Sequence, residues 1–393
     1  MSRNVPKLRF KGFDDEWIKY KADDLFINIS DKKHNGELNV LSVTQDKGVL
    51  LREELEIDIK FDIESVKNYK RVKAGDFIIS LRSFQGGFEI SNQEGLISPA
   101  YTVFNFKDSE KFNSKYFSYI FKSSRFIKKL AGLIYGVRDG KAISFTDFKT
   151  MTFFCPSLQE QEKIANFLSK VDSIIEKQEK KVQYWNSYKK GMMQKIFSQK
   201  IRFKDDNGRD YQEWEEKKLG ACFLERSITN NNELELLSVT INNGVKKRSD
   251  IEGKDNSSDD KSNYKLVEKN DIVYNSMRMW QGASGVSSYR GIVSPAYTIL
   301  IPQNNVNSYF FAYLFKLEKV INEFRKFSQG LISDTWNLKY PLLKDIRVKV
   351  PCLEEQTKIA NFLSNIDNII EKESKKLEEL KQWKKGLLQQ MFV

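Results

Sequence analysis

The chain has 393 residues, 40% of them hydrophobic and 30% charged, with seven prolines, a composition that belongs to a folded protein of several domains and excludes a disordered one. Its 65 Lys and Arg against 53 Asp and Glu leave a net charge of +12, which favours a polyanionic partner through phosphate charge. Three widely separated cysteines without a CxxC pair argue against a zinc site or disulfide framework, and the absence of a leader-like start or of a run of about 18 apolar residues leaves a cytoplasmic protein as the expectation.

In chain order, roughly the first 150 residues read as an irregular, mostly β segment with short helices. Residues 76–81 (DFIISL) and 101–106 (YTVFNF) are β-branched or aromatic and bounded by Gly, Asn or Asp, the signature of strands. Residues 115–130 carry aliphatic and aromatic side chains at helical spacing, which predicts one core-facing helix. After Pro156 comes a capping-box pattern, Ser157 through Glu160, in which the serine caps a backbone N–H and the glutamate reaches back. A heptad seam follows on Ile164, Leu168, Val171, Ile175, Gln178, Val182, Trp185, Lys189, Met192 and Ile196.

The chain is then written a second time. EQEKIANFLSKVDSIIEK at 160–177 returns as EQTKIANFLSNIDNIIEK at 355–372, and KKGMMQKIF at 189–197 returns as KKGLLQQMF at 384–392. Upstream, LSVT, NYK and SPAYT recur in the same order at 41–44, 68–70 and 98–102 and again at 237–240, 263–265 and 294–298. Residues 271–275 (DIVYN) predict a strand and 308–327 a second core-facing helix. The second seam runs through Ile359, Leu363, Ile366, Ile370, Glu373, Leu377, Leu380, Lys384, Leu387 and Met391, with its polar breaks at the same positions as the first. Such breaks fix register and orientation. Cys352 stands where Ser157 does, so the second helix is expected to have the weaker start.

A helix of roughly 39 residues is about 58 Å long, more than one globular domain needs. The fold class expected is therefore α+β. Two β-rich domains with short helices are separated by two long helices that pair as an antiparallel coiled coil, related by an internal pseudo-twofold repeat that matches the symmetry of a duplex.

The motif pair PSLQEQEKIANFLSKVD (156–172) and PCLEEQTKIANFLSNID (351–367), each opening a long Lys-rich helix, resembles the specificity subunits of type I restriction-modification systems, and the resemblance covers the whole chain. PKLRFKGF (6–13) and its partial echo IRFKDDNG (201–208) resemble the lead-in to each recognition domain. The resemblance implies target-recognition domains at 1–156 and 200–351, with the central and C-terminal helices at 157–199 and 352–393. Each domain would read one half of a split DNA target, while the helices set the gap and hold two DNA methyltransferase (modification) subunits. Restriction (translocase-nuclease) subunits are also implied, with S-adenosylmethionine, ATP and Mg2+ bound by those partners and no cofactor by this chain.

No catalytic or metal-binding residue is expected in the chain itself. No two prolines adjoin, so the Asn-Pro-Pro-aromatic motif of adenine methyltransferases is absent. The single histidine, His34, has no counterpart in the repeat and reads as a solvated loop residue. The Gly136 to Ala142 segment, GVRDGKA, is one residue short of a phosphate loop and lacks its Ser or Thr.

The candidate DNA contacts are stretches that differ between the two copies. Arg82, Ser83 and Gln85, beside Phe84, follow one matched strand; Arg278, Trp280 and Gln281, beside Met279, follow the other. Arginine suits guanine and glutamine suits adenine by paired hydrogen bonds, while an aromatic neighbour can stack or wedge, or simply be core. Arg138 and Lys141 in the glycine-rich segment, whose second copy is GLISDTWNL (330–338), can reach phosphates or a guanine. Tyr101 and Tyr297 of the repeated SPAYT serve either the DNA backbone or a turn, and Lys246 and Lys247, with Arg248, either position phosphates or only aid solubility. Two alternatives stand beside this reading: the specificity subunit of a fused methylase-nuclease system, still a binding module, and, from a different class, a basic coiled-coil scaffold without sequence preference.

Overall fold

The computed structural model describes residues 4–44, 48–55, 63–80, 86–133, 143–241, 244–255, 257–331 and 336–393. It divides into two compact units, one of Met1–Lys181 with Glu373–Val393 and the other of Val182–Lys372.

In the first unit, Phe26–Ile29, Thr102–Phe106, Phe77–Ile79 and Phe88–Ile90 lie in that order as one antiparallel sheet. Three two-stranded pairs surround it: Ile18–Lys21 with Thr152–Cys155, Leu41–Thr44 with Gly48–Leu51, and Lys70–Val72 with Gly95–Ile97. Strand side chains alternate between faces, and the sequence uses both. Phe26, Phe77, Phe88, Phe104 and Phe106 join the helical Phe117, Phe121 and Phe126 in an aromatic core, with Phe77 and Phe104 stacked at 5.2 Å. Ile78 and Val103 face the other way, onto Leu41, Val49, Val72 and Ile97.

The second unit repeats this arrangement. Phe223–Arg226, Tyr297–Pro302, Ile272–Asn275 and Ser284–Val286 form its four-stranded sheet, with Glu215–Lys218 on Arg347–Val350, Leu237–Thr240 on Gly244–Lys247 and Lys265–Val267 on Gly291–Val293. The single core-facing helix expected in each half is two helices: Ser114–Lys122 then Ser124–Leu133, and Ser308–Leu314 then Glu318–Phe327. The break has a local cause. Ser123 is extended (ψ 141°) and its hydroxyl accepts from Phe126 N at 3.2 Å, so it caps the next helix instead of continuing the first.

The long helices are Leu158–Phe197 and Leu353–Gln390. In the first unit Ile164, Leu168, Val171 and Ile175 pack with Leu377, Leu380, Leu387 and Met391; in the second, Ile359, Leu363, Ile366 and Ile370 pack with Trp185, Met192 and Ile196. The pairing is antiparallel. In the first unit Asp172 binds Lys384 at 2.6 Å, Glu179 binds Lys381 at 3.0 Å and Lys181 binds Glu373 at 2.7 Å, so residue numbers rise on one helix as they fall on the other. The polar seam positions meet partners. Gln178 donates to the Glu373 carboxylate at 2.7 Å and carbonyl at 2.9 Å; Lys189 binds Asp367 at 2.5 Å, the equivalent of Lys384 on Asp172. Tyr119 and Tyr313 each donate to the same aspartates at 2.7 Å. Every slip of the pairing separates these groups, which is how polar seam residues set register.

The Glu-Gln pair that opens each long helix joins it to its β-rich domain. The Glu160 carboxylate, 1% exposed, takes both forks of Arg9 at 2.7 and 2.8 Å; Glu355 takes Arg202 at 2.9 Å and the Trp214 indole at 3.2 Å. Gln161 accepts from Asn113 N at 3.0 Å and donates to the Pro156 carbonyl at 3.0 Å, and Gln356 repeats both with Asn307 and Pro351. The expected capping box is therefore half formed. Ser157 Oγ lies 3.4 Å from Glu160 N, but the carboxylate turns to Arg9 because a bidentate charged partner outcompetes a single backbone amide.

Candidate nucleic-acid interface

In the second unit the strand Ile272–Asn275 ends in a tight turn. Asn275 Oδ1 accepts from Met277 N at 3.0 Å, and a single 3-10 turn, Met279–Gln281, closes on Gly282 at φ +81°. Only glycine takes that φ without strain, and a Cβ at Gly282 would also meet Ile321 at 3.3 Å. Met279 is fully buried and anchors the turn in the core. The side chains on either side of that anchor differ: Arg278 is exposed, whereas Trp280 and Gln281 are half-buried. The Trp280 indole donates to the Met277 carbonyl at 3.0 Å, which fixes the ring.

A second loop comes to the same place. Gln329 and Asn337 exchange backbone hydrogen bonds at 3.0 and 2.8 Å, and Leu338 N donates to the Ser276 carbonyl at 2.9 Å, so the stem of the loop is tied to the end of the same strand. Its Trp336 lies edge-on to Trp280 at 5.3 Å. Met277 in the turn and Leu331 in the second loop are 44% and 100% exposed. Behind the turn, the Lys316 ammonium donates to the carbonyls of Gly282 at 2.5 Å and Ile241 at 3.0 Å. Burial, with a smaller contribution from Lys189, pushes its pKa down to about 8.

The other candidates divide. Arg82, Ser83, Phe84, Gln85, Arg138 and Lys141 lie outside the described residues. Tyr101 and Tyr297 are half-buried against the smaller clusters, and their carbonyls accept from Lys70 at 2.7 Å and Lys265 at 2.9 Å. Burial raises the Tyr101 hydroxyl pKa, and the Tyr297 hydroxyl is 3.3 Å from Ser238 Oγ. Both tyrosines thus pin their turns inward. In the basic cluster, Arg248 donates to the carbonyls of Ile251, Gly253 and Lys254 and holds its own loop. Lys247 pairs with Glu235 at 2.7 Å, while Lys246 is exposed.

His34 is not simply solvated. Its Nε2 lies 2.9 Å from the Tyr69 carbonyl and its Nδ1 accepts from Gly36 N at 3.2 Å, so both nitrogens serve the backbone. Among the described residues no cluster of His, Cys, Asp and Glu could hold a metal ion, and no helix is long and apolar enough to cross a membrane.

Reading the sequence alone missed Trp336, Met277, Leu331 and Lys316. The signal for Trp336 is its place in GLISDTWNL, the counterpart of a divergent segment in which a tryptophan stands where the first copy is charged.

A family model described as the type I restriction modification DNA specificity domain matches residues 15–183 and 211–382. The specificity subunit of the type I restriction enzyme MjaVIII of Methanocaldococcus jannaschii is 26% identical over 261 residues, covering 61% of this chain and 61% of that protein, so the chain spans about three-fifths of that curated relative. The type I restriction-modification S subunit of M. genitalium has a similar fold, with a TM-score of 0.60 at 18% identity over 99% of both chains. A chain from a structure concerned with complex assembly and conformational transition of the type I restriction-modification system gives 0.53 at 14% identity over 96% of this chain and 97% of that one. Two matched domains that fill most of the sequence, on a duplicated frame with antiparallel helices, place the chain in the family of type I restriction-modification specificity subunits.

Proposed function

We propose that this chain reads a split DNA sequence and performs no chemistry of its own. Residues 1–156 and 200–351 are its two reading domains, and the paired helices at 157–199 and 352–393 set the spacer and dock two modification subunits. Adenine methylation and ATP-dependent cleavage then belong to those modification subunits and to restriction subunits, which carry S-adenosylmethionine, ATP and Mg2+. One observation carries the reading. In the second unit two segments that differ from their first-half counterparts, around Arg278 and around Trp336, come together at the end of one strand of an otherwise repeated frame. A frame held constant under divergent loops is what two half-sites of different sequence require.

Arg278 is the proposed guanine or phosphate contact, Gln281 and Trp280 its neighbours on the turn, and Lys246 a phosphate contact; Tyr101 and Tyr297 support turns. The test is genome-wide adenine methylation in cells carrying the gene with its neighbours and in cells lacking it. A split motif that disappears with the gene supports the reading. Methylation independent of the gene, with DNA binding that has no sequence preference, would instead favour a basic scaffold.

A further inference from the structure

The second unit carries an apolar cluster where a reader of phosphates alone would need none. Trp280 and Trp336 come from loops nearly sixty residues apart in sequence, yet their rings meet at 5.3 Å and 75°, and the same two loops carry the exposed Met277 and Leu331. The cluster is held in place. Met279 is buried under the turn, Gly282 and the Lys316 ammonium close it, and the reciprocal Gln329–Asn337 hydrogen bonds hold the stem from which Trp336 projects. Exposed apolar side chains on the loops that carry two half-buried tryptophans mark an interaction surface, and the exposed Arg278, two positions from Trp280, suits a partner that is anionic at its edge.

We propose that Trp280 and Trp336 form an apolar platform that contacts the bases of the second half-site directly, at a deformable base step or a thymine methyl. This rests on the reading of the chain as a DNA reader and deepens it. Arg278 supplies the polar contact beside the platform. Because such a contact is made to bases, it adds sequence preference without neutralising phosphates, and its loss leaves the salt dependence of binding unchanged. Aromatic contact to one base is worth roughly 5- to 150-fold in affinity.

The experiment compares wild type, Trp280→Ala, Trp336→Ala and Trp336→Phe, each as the full chain in its methyltransferase complex. Methylation motifs are mapped genome-wide, and affinity for a duplex bearing the wild-type motif is measured against salt. The proposal expects both alanine variants to relax positions in one and the same half of the motif and to weaken binding at least about fivefold at unchanged salt slope, with Trp336→Phe retaining most of the preference. An unchanged motif, equal relaxation of both halves, or a lower salt slope overturns it. Loss of complex assembly with the recognised sequence intact also overturns it, since the cluster would then face a protein. Thermal melting of each variant separates these outcomes from misfolding, which Trp336→Phe avoids. If the wild type itself yields no split motif, the DNA-reading assignment fails and not merely the platform.

Discussion

Replacing Glu160 by Gln separates the charge of the Arg9–Glu160 pair from its shape. The carboxylate is 1% exposed and takes Arg9 at 2.7 and 2.8 Å, while the guanidinium is 15% exposed. Removing one partner of a buried pair costs about 3–5 kcal/mol because the other charge stays desolvated. Arg9 keeps some access to water, so the lower end, about 3 kcal/mol, applies to Glu160→Gln, and a similar loss applies to Arg9→Met. The double variant should cost little more than either alone, a coupling of about 2–3 kcal/mol. Hydrogen exchange on the intact chain reads this locally: amides at 164–171 should lose roughly a hundredfold in protection in either single variant, since each 1.4 kcal/mol is tenfold. Residues 359–366, whose helix is held by Glu355, Arg202 and Trp214, are the internal control and should not move. Additive costs, or a loss of protection below about threefold, would refute the idea that this ion pair joins the helix to its domain.

Lys384→Met removes a partly exposed ion pair with Asp172 and should cost about 1 kcal/mol, mostly abolished as coupling in 1 M salt; denaturation of the single and double variants measures it. Cys352→Ser supplies the second long helix with a hydroxyl N-cap and should slow exchange of the 354–357 amides by a few-fold, about 0.5–1 kcal/mol. Lys316 binds its proton less tightly folded (about 8) than at its ordinary 10.5. Below about pH 8 both states are protonated and the native state holds a desolvated ammonium. Between about pH 8 and 10.5 the native state sheds the proton first, so stability rises with pH, by up to about 3 kcal/mol relative to Lys316→Met, and equal pH profiles for the two proteins would rule this out. Arg278→Ala should relax one position in one half of the methylated motif, by about 1–3 kcal/mol of discrimination, as read by motif mapping.

The repeat, the two long helices and their polar breaks were legible in the sequence because each is a periodic signal carried along a single stretch of chain. Gln178, Glu373, Lys189 and Lys384 could be picked out by heptad position alone, and their pairing follows once the direction is chosen. Signals that need two distant stretches were not legible. Nothing near Glu160 marks Arg9 as its partner, so the local capping box was the natural expectation, and the structure overrules it with a bidentate ion pair. Residues 115–130 keep helical spacing straight through Ser123, and the apolar period hides the break that the Ser123 cap makes there.

By itself, then, the amino-acid sequence determined a duplicated α+β chain, its two long helices and their polar seam positions, since periodicity acts between residues a few positions apart. The tertiary structure decided which of the divergent residues form a surface. Trp280 and Trp336 meet because a strand end and a loop stem share the hydrogen bond from Leu338 to Ser276, and such a contact leaves no period in the sequence.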